Sequence, residues 1–127
     1  MNLFKYILVF VFFMQSIKVF SQEIKFQDPK QNFGFAHEGD TVKLSYELKN
    51  MGNKPLLISN YEVECGCTVM EKVENAILPG ESYSIKVTFD THEKYDRQDR
   101  IVKVFSNAIN SPSVLRFKGV VLKPKKK

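Results

Sequence analysis

The sequence contains no tryptophan, only two histidines and only two cysteines among 127 residues. Without tryptophan the chain lacks one common interface anchor. Two cysteines separated by a single residue, Cys65 and Cys67, cannot supply a multi-bridge disulfide framework. Missing too are a nucleophile elbow, a phosphate-binding glycine loop, a His-Glu-x-x-His pair and a paired-carboxylate motif, which argues against hydrolases and nucleotide-dependent enzymes. No stretch of useful length shows the 3.6-residue stripe of an amphipathic helix. Nor is there a basic face. Of the nineteen Lys and Arg, Lys5 and Lys18 lie near the start and Lys123, Lys125, Lys126 and Lys127 at the end. Thirteen remain in the body against all fourteen acidic residues, so the body is nearly neutral and no nucleic-acid partner is expected.

What is present begins with an apolar leader. Lys5 supplies a positive start, Tyr6 to Met14 is an unbroken apolar run, and Ile17, Val19 and Phe20 extend it past Gln15 and Ser16. Val19-Phe20-Ser21 followed by Gln22 places a small residue at the last position before a cut, so residues 1–21 read as a signal peptide cleaved between Ser21 and Gln22. The run is shorter than the roughly 20 residues a membrane span needs, and Lys18 interrupts its end, so no stable span is expected after cleavage. The leader holds no cysteine, which excludes acylation there. Removing 21 of 127 residues leaves 106, the size of one immunoglobulin-like sandwich of about 100 residues. The protein is expected in the periplasm or outside the cell.

The body reads as strands joined by turns. Val42, Leu44, Tyr46 and Leu48 alternate with Lys43, Ser45, Glu47 and Lys49, the period of two of a half-buried strand. Asn50 to Pro55 breaks that strand with turn residues, and Leu56 to Val63 forms another. Pro79-Gly80-Glu81 is a sharp turn before Ser82 to Phe89, where Tyr83, Ile85, Val87 and Phe89 share a face. Asp99 to Ser106 and Val114 to Leu122 follow, with a loop from Asn107 to Ser113 between them; Ile24 to Phe26 and Phe33 to Phe35 are short edge strands. About seven short strands with one wet face each predict an all-β immunoglobulin-like sandwich over residues 22–122. Residues 123–127 read as a solvated, Lys-rich tail.

The ordered landmarks are Phe33-Gly34-Phe35, Glu38-Gly39-Asp40, Leu48-Lys49-Asn50-Met51-Gly52, Cys65-Gly66-Cys67-Thr68, Ile77-Leu78-Pro79-Gly80-Glu81, Val87-Thr88-Phe89-Asp90-Thr91, Val104-Phe105-Ser106-Asn107 and Phe117-Lys118-Gly119-Val120-Val121. Together they resemble the bacterial "domain of unknown function one-five-seven-three" over about residues 24 to 121. The resemblance implies an immunoglobulin-like sandwich, related in architecture to Hydin-type, major-sperm-protein-type and pilus-chaperone-type domains, and it implies no established activity. Two departures from the family pattern stand out. Val69 and Met70 follow the cysteine signature where many relatives have proline, and the turn after Phe89-Asp90 lacks glycine. Turn chemistry alone accounts for Gly34, Gly39, Asn50, Gly52, Pro79, Gly80 and Asn107.

Cys65 and Cys67 are the candidate site. On an extended chain their Cα atoms would stand about 6.6 Å apart, near the upper limit for a bridge, and Gly66 supplies a bend that brings them closer. Closing a three-residue loop removes only about 1.6 kcal/mol of chain entropy, before ring strain is subtracted, so stapling the fold is a poor reason for the pair. Four readings stay open: a local disulfide with no wider role, a redox-active dithiol, a pair of thiolates for Cu or Zn, and a bridge to a partner's cysteine. His37 and His92, the only histidines, read as solvated loop residues. No cofactor is assigned. The leading functional reading is a non-enzymatic envelope module that binds or scaffolds another envelope or secreted protein. The alternative is thiol-redox or soft-metal handling at Cys65 and Cys67.

Overall fold

The computed structural model describes residues 2–13 and 22–124. Helix α1 (Asn2–Phe13) lies within the apolar leader, and no helix among the described residues is long and apolar enough to cross a membrane. Of the expected cleavage pair, Ser21 lies outside the described residues; the carbonyl of Gln22 accepts a hydrogen bond from the amide of Ile109 at 2.9 Å. Residues 125–127 of the basic tail also lie outside them, and Lys123 is placed with its ammonium 5.9 Å from the centre of the Tyr95 ring.

Eight strands follow: β1 (Ile24–Phe26), β2 (Lys30–His37), β3 (Thr41–Asn50), β4 (Ile58–Val63), β5 (Thr68–Met70), β6 (Ser82–Asp90), β7 (Asp96–Ser106) and β8 (Ser113–Leu122). They form two four-stranded sheets, ordered β1-β3-β6-β5 and β2-β8-β7-β4. All pairs are antiparallel except β2 with β8, which is parallel. The strands expected from alternation are all present. The additional one is β5, whose three residues Thr68-Val69-Met70 are too few for a period of two to register. It pairs with the end of β6, Thr68 opposite Phe89.

Alternation builds the core. Leu44, Tyr46 and Leu48 of β3 and Ile85, Val87 and Phe89 of β6 face Val102 and Val104 of β7 and Leu115, Phe117 and Val121 of β8, all buried. Their partners in sequence (Lys43, Glu47, Lys49, Ser84, Lys86) face water. The Tyr46 hydroxyl donates to the Arg116 carbonyl at 3.0 Å and so ties the first sheet to the second through the core. At one end Phe33, Phe89 and Phe117 make a tilted aromatic cluster with centroids 5.3 to 6.4 Å apart. Phe33 is the extra residue of a bulge in β2, where Gly34 has φ +74°. Its ring lies over Gly119, where a Cβ would collide with three of the ring carbons.

Three landmarks meet at the opposite end. Asn50 is fully buried and uses every polar group it has. Its side-chain NH2 donates to the carbonyls of Lys54 and Ile77, both at 2.8 Å, and its Oδ1 accepts from the Gly52 amide at 3.0 Å. Its own amide donates to Glu81 and its carbonyl accepts from Gly80. Asn107 does the same work more exposed: its Oδ1 accepts from the Leu57 amide at 2.9 Å and its NH2 donates to the Pro55 carbonyl at 3.2 Å. The glycine-free turn after β6 takes its left-handed positions on Glu93 (φ 60°) and Asp96 (φ 63°), where a glycine would carry less strain.

Asn50→Ala is expected to lower the unfolding free energy by about 3 kcal/mol, because it strands one buried donor and two carbonyls. Asn50→Asp will cost at least as much, since it turns a carboxylate oxygen toward two carbonyls; urea titrations of both variants check this. Burial, and then the charge of Asp28, push the Tyr46 phenol well above the ordinary tyrosine range. The folded state therefore holds that proton more tightly than the unfolded chain. The stability this provides is full below about pH 10, where unfolded tyrosine titrates, and falls as pH rises further. Tyr46→Phe is expected to cost about 1 kcal/mol at neutral pH and to flatten the alkaline slope above about pH 10, as read from melting temperatures across that range.

Candidate functional site

The two cysteines sit where the chain leaves the second sheet at Val63 and enters the first at Thr68. Residues 65–68 form a tight turn in which the Thr68 amide donates to the Cys65 carbonyl at 3.3 Å. This turn shortens the Cα separation of Cys65 and Cys67 from the extended value to 5.3 Å and sets the two sulfurs side by side. Gly66 is not in the left-handed region, and a Cβ there would meet nothing within 4 Å. The bend is thus made by the turn itself and asks nothing that only glycine provides. Cys67 packs against the edge of the core, and its carbonyl accepts the Asp90 amide at 2.8 Å.

His92 follows two residues on, its amide capped by the Asp90 carboxylate at 2.9 Å. Its Nδ1 lies 3.7 Å from Glu38 Oε1, and His37 Nδ1 lies 3.9 Å from Asp40 Oδ2; both imidazoles are solvent-exposed. The fold therefore gathers both histidines and the cysteine turn at one end of the sandwich. Even so, no group of three or more His, Cys, Asp and Glu among the described residues is arranged to hold a metal ion. A soft metal would have the two thiolates alone. Elsewhere, on the outer face of the second sheet, the Arg116 guanidinium grips both oxygens of Asp99, with Nε to Oδ1 at 2.7 Å. That hydrogen bond holds the Asp99 carboxyl below its ordinary value.

A second feature was not legible in the sequence. β4 and β5, which the cysteine turn joins, are both edge strands, one of each sheet. Between them runs a groove of about 360 Å³ lined by Ile58, Asn60, Tyr61, Met70, Lys72 and Val73. Met70 and Val73 are buried at its floor, and Ile58 and Tyr61 are partly covered. The only sequence signal for it is the short β-favouring triplet Thr68-Val69-Met70 directly after the cysteines.

Comparison with known structures gives the same architecture. The fold resembles a protein of unknown function from Porphyromonas gingivalis W83 with TM-score 0.69 at 16% identity, over 83% of this chain and 50% of that one. It also resembles the ASH/PapD-like domain 7 of human CEP192 (TM-score 0.58, 13% identity, 89% of this chain and 93% of that one). The YadV chaperone is similar at TM-score 0.52 and 17% identity, over 83% of this chain and 54% of that chain. The chain spans half the length of the P. gingivalis protein. At these identities the likeness shows an immunoglobulin-like, PapD-like sandwich and nothing more. The sequence matches none of the curated proteins with which it was compared. A family profile, described as "Protein of unknown function (DUF1573)", matches residues 24–121, and with nearly all of the folded domain covered the chain belongs to that family.

Proposed function

We propose that the protein is an exported, non-enzymatic binding module: residues 1–21 are removed between Ser21 and Gln22, and the sandwich then docks another protein of the cell envelope. The observation that carries this reading is the open side of the sandwich, where two edge strands border a groove floored by Met70 and Val73. Unpaired strand edges are ready acceptors for a partner's backbone. The likeness to a chaperone supports a binding role only at the level of fold. A second reading, thiol–disulfide exchange at Cys65 and Cys67, is supported by their 5.3 Å separation in a turn where both are half-buried.

Four measurements test these readings. Terminal sequencing of the protein from the envelope fraction is expected to begin at Gln22; a start at Met1 removes the export step. Affinity isolation from the same fraction is expected to retain one specific partner, and recovery of none in stoichiometric amount counts against binding. Intact mass under native alkylation is expected to be two hydrogens below the dithiol value, with no adduct, in keeping with a closed bridge. Cys65→Ser with Cys67→Ser is expected to shift stability by no more than about 1.6 kcal/mol, and Gly66→Ala by less than about 0.5 kcal/mol. Loss of the fold in either variant would make the turn a structural staple and take away the redox reading.

A further inference from the structure

Resting on the protein-binding reading above, we infer that β4 is the docking strand, and that its partner is an extended, basic segment whose alternate apolar side chains enter the groove beside it.

The edges are not equivalent. β1 and β5 are three residues long. β2 is longer, but its ladder is interrupted by the bulge at Phe33, and the Gln31 side chain bridges its flank to the other sheet by donating to the Ser45 carbonyl at 2.8 Å. The bulge falls in mid-strand, and β2 opens on Lys30, one of the usual guards of an edge. β4 has a register shift of its own at Ser59, next to its start, and then keeps a regular register from Asn60 to Val63 against Phe105 to Val102. Its sequence, Ile-Ser-Asn-Tyr-Glu-Val, holds neither lysine nor proline, the usual guards of an exposed edge. Beyond its ladder with β7, no backbone group from Ile58 to Val63 is bonded to backbone among the described residues.

The chain itself begins the pairing that a partner would continue. Leu57 exchanges hydrogen bonds with Asn107 on the β7 side, whereas Leu56 exchanges both of its backbone bonds with Ile77, at 2.8 and 2.9 Å. Successive residues of a strand bond to opposite sides, so Ile77 occupies the outer side. The rest of that segment does not follow the edge: Glu71 is bonded to Lys86 on the other sheet. The line of Ile77 is therefore vacant alongside Ile58–Val63, with the groove beneath it. A strand added there would send every second side chain onto Met70, Val73 and Tyr61 and the others to water.

Charge selects the sequence of those outward residues. Three exposed glutamates lie next to the groove: Glu62 is on β4 itself, and Glu71 and Glu74 flank the lining residues Lys72 and Val73, Lys72 being the one charged residue of the lining. Glu62 faces Lys103 across the ladder, but none of these three glutamates enters an ion pair among the described residues. Lysine or arginine at the solvent-facing positions of the incoming strand would be attracted to this rim, and acidic residues repelled.

The test uses the purified protein with two synthetic heptapeptides, Lys-Val-Lys-Val-Lys-Val-Lys and Glu-Val-Glu-Val-Glu-Val-Glu, and reads amide hydrogen exchange by residue. The basic peptide is expected to slow exchange within Ile58–Val63 by about tenfold or more and to bind more weakly as salt rises past about 0.15 M. Glu71→Lys with Glu74→Lys, both exposed positions, is expected to weaken the basic peptide and admit the acidic one while the melting temperature stays put. Equal protection by both peptides, or indifference to the charge reversal, overturns the basic-partner inference. Protection at Lys30–His37 in place of β4 overturns the assignment of the edge while leaving protein binding intact. No protection at β4 by either peptide overturns docking there, and the envelope isolation above then decides the broader reading independently.

Discussion

The arrangement depends on one buried amide. Asn50 ends β3, and in one position it closes the 52–54 loop, anchors the Ile77 carbonyl and clamps the turn that launches β6. Because Ile77 is also the partner of Leu56, the same side chain sets the depth at which the segment after β5 meets the line of β4. An asparagine can do this because it offers two donors and an acceptor in one plane with no charge to bury. The core then follows from alternation on either side of it, since the inward faces of β3 and β6 pack against those of β7 and β8, with Phe33 of β2 closing one end.

The family landmarks turn out to be contacts seen one half at a time. Phe33 of the first landmark lies over Gly119 of the last. The Thr91 hydroxyl, from the end of β6, donates against the carbonyls of Asp40 at 2.6 Å and His37 at 3.1 Å, joining two more. Asn50 meets Ile77 to Glu81, and Asn107 meets Pro55 and Leu57. The pairings of Thr91, Asn50 and Asn107 satisfy buried or turn backbone that the strands themselves leave over. Cys65-Gly66-Cys67 is the landmark the fold uses least: Cys67 packs at the edge of the core with its Sγ 4.0 Å from the Thr68 hydroxyl, and Gly66 is under no steric demand. It lies beside the side of the sandwich where β4 and β5 are edges.

Sequence alone was sufficient for the sandwich and most of its strands, because a half-buried strand writes its burial into every second residue. Val42 to Leu48 and Tyr83 to Phe89 needed no neighbours to be read. The apolar leader and the turn residues were equally local, and so was the spacing of the cysteines. What tertiary structure decided is everything that depends on which strands end up beside one another. Three residues, Thr68 to Met70, carry no period, so β5 existed only once β6 was there to pair with it. The edges at β1 and β2 were read from the sequence, but the edges at β4 and β5, the parallel pairing of β2 with β8, and the groove between β4 and β5 are properties of strand order, which arises from contacts between residues far apart in the chain. Likewise Asn50 and Asn107 were legible as strand-ending residues, but their partners, 27 and 52 positions away, were not. A side chain's hydrogen-bonding capacity is written in its own chemistry, while its partner is chosen by the way the two sheets close on their common core.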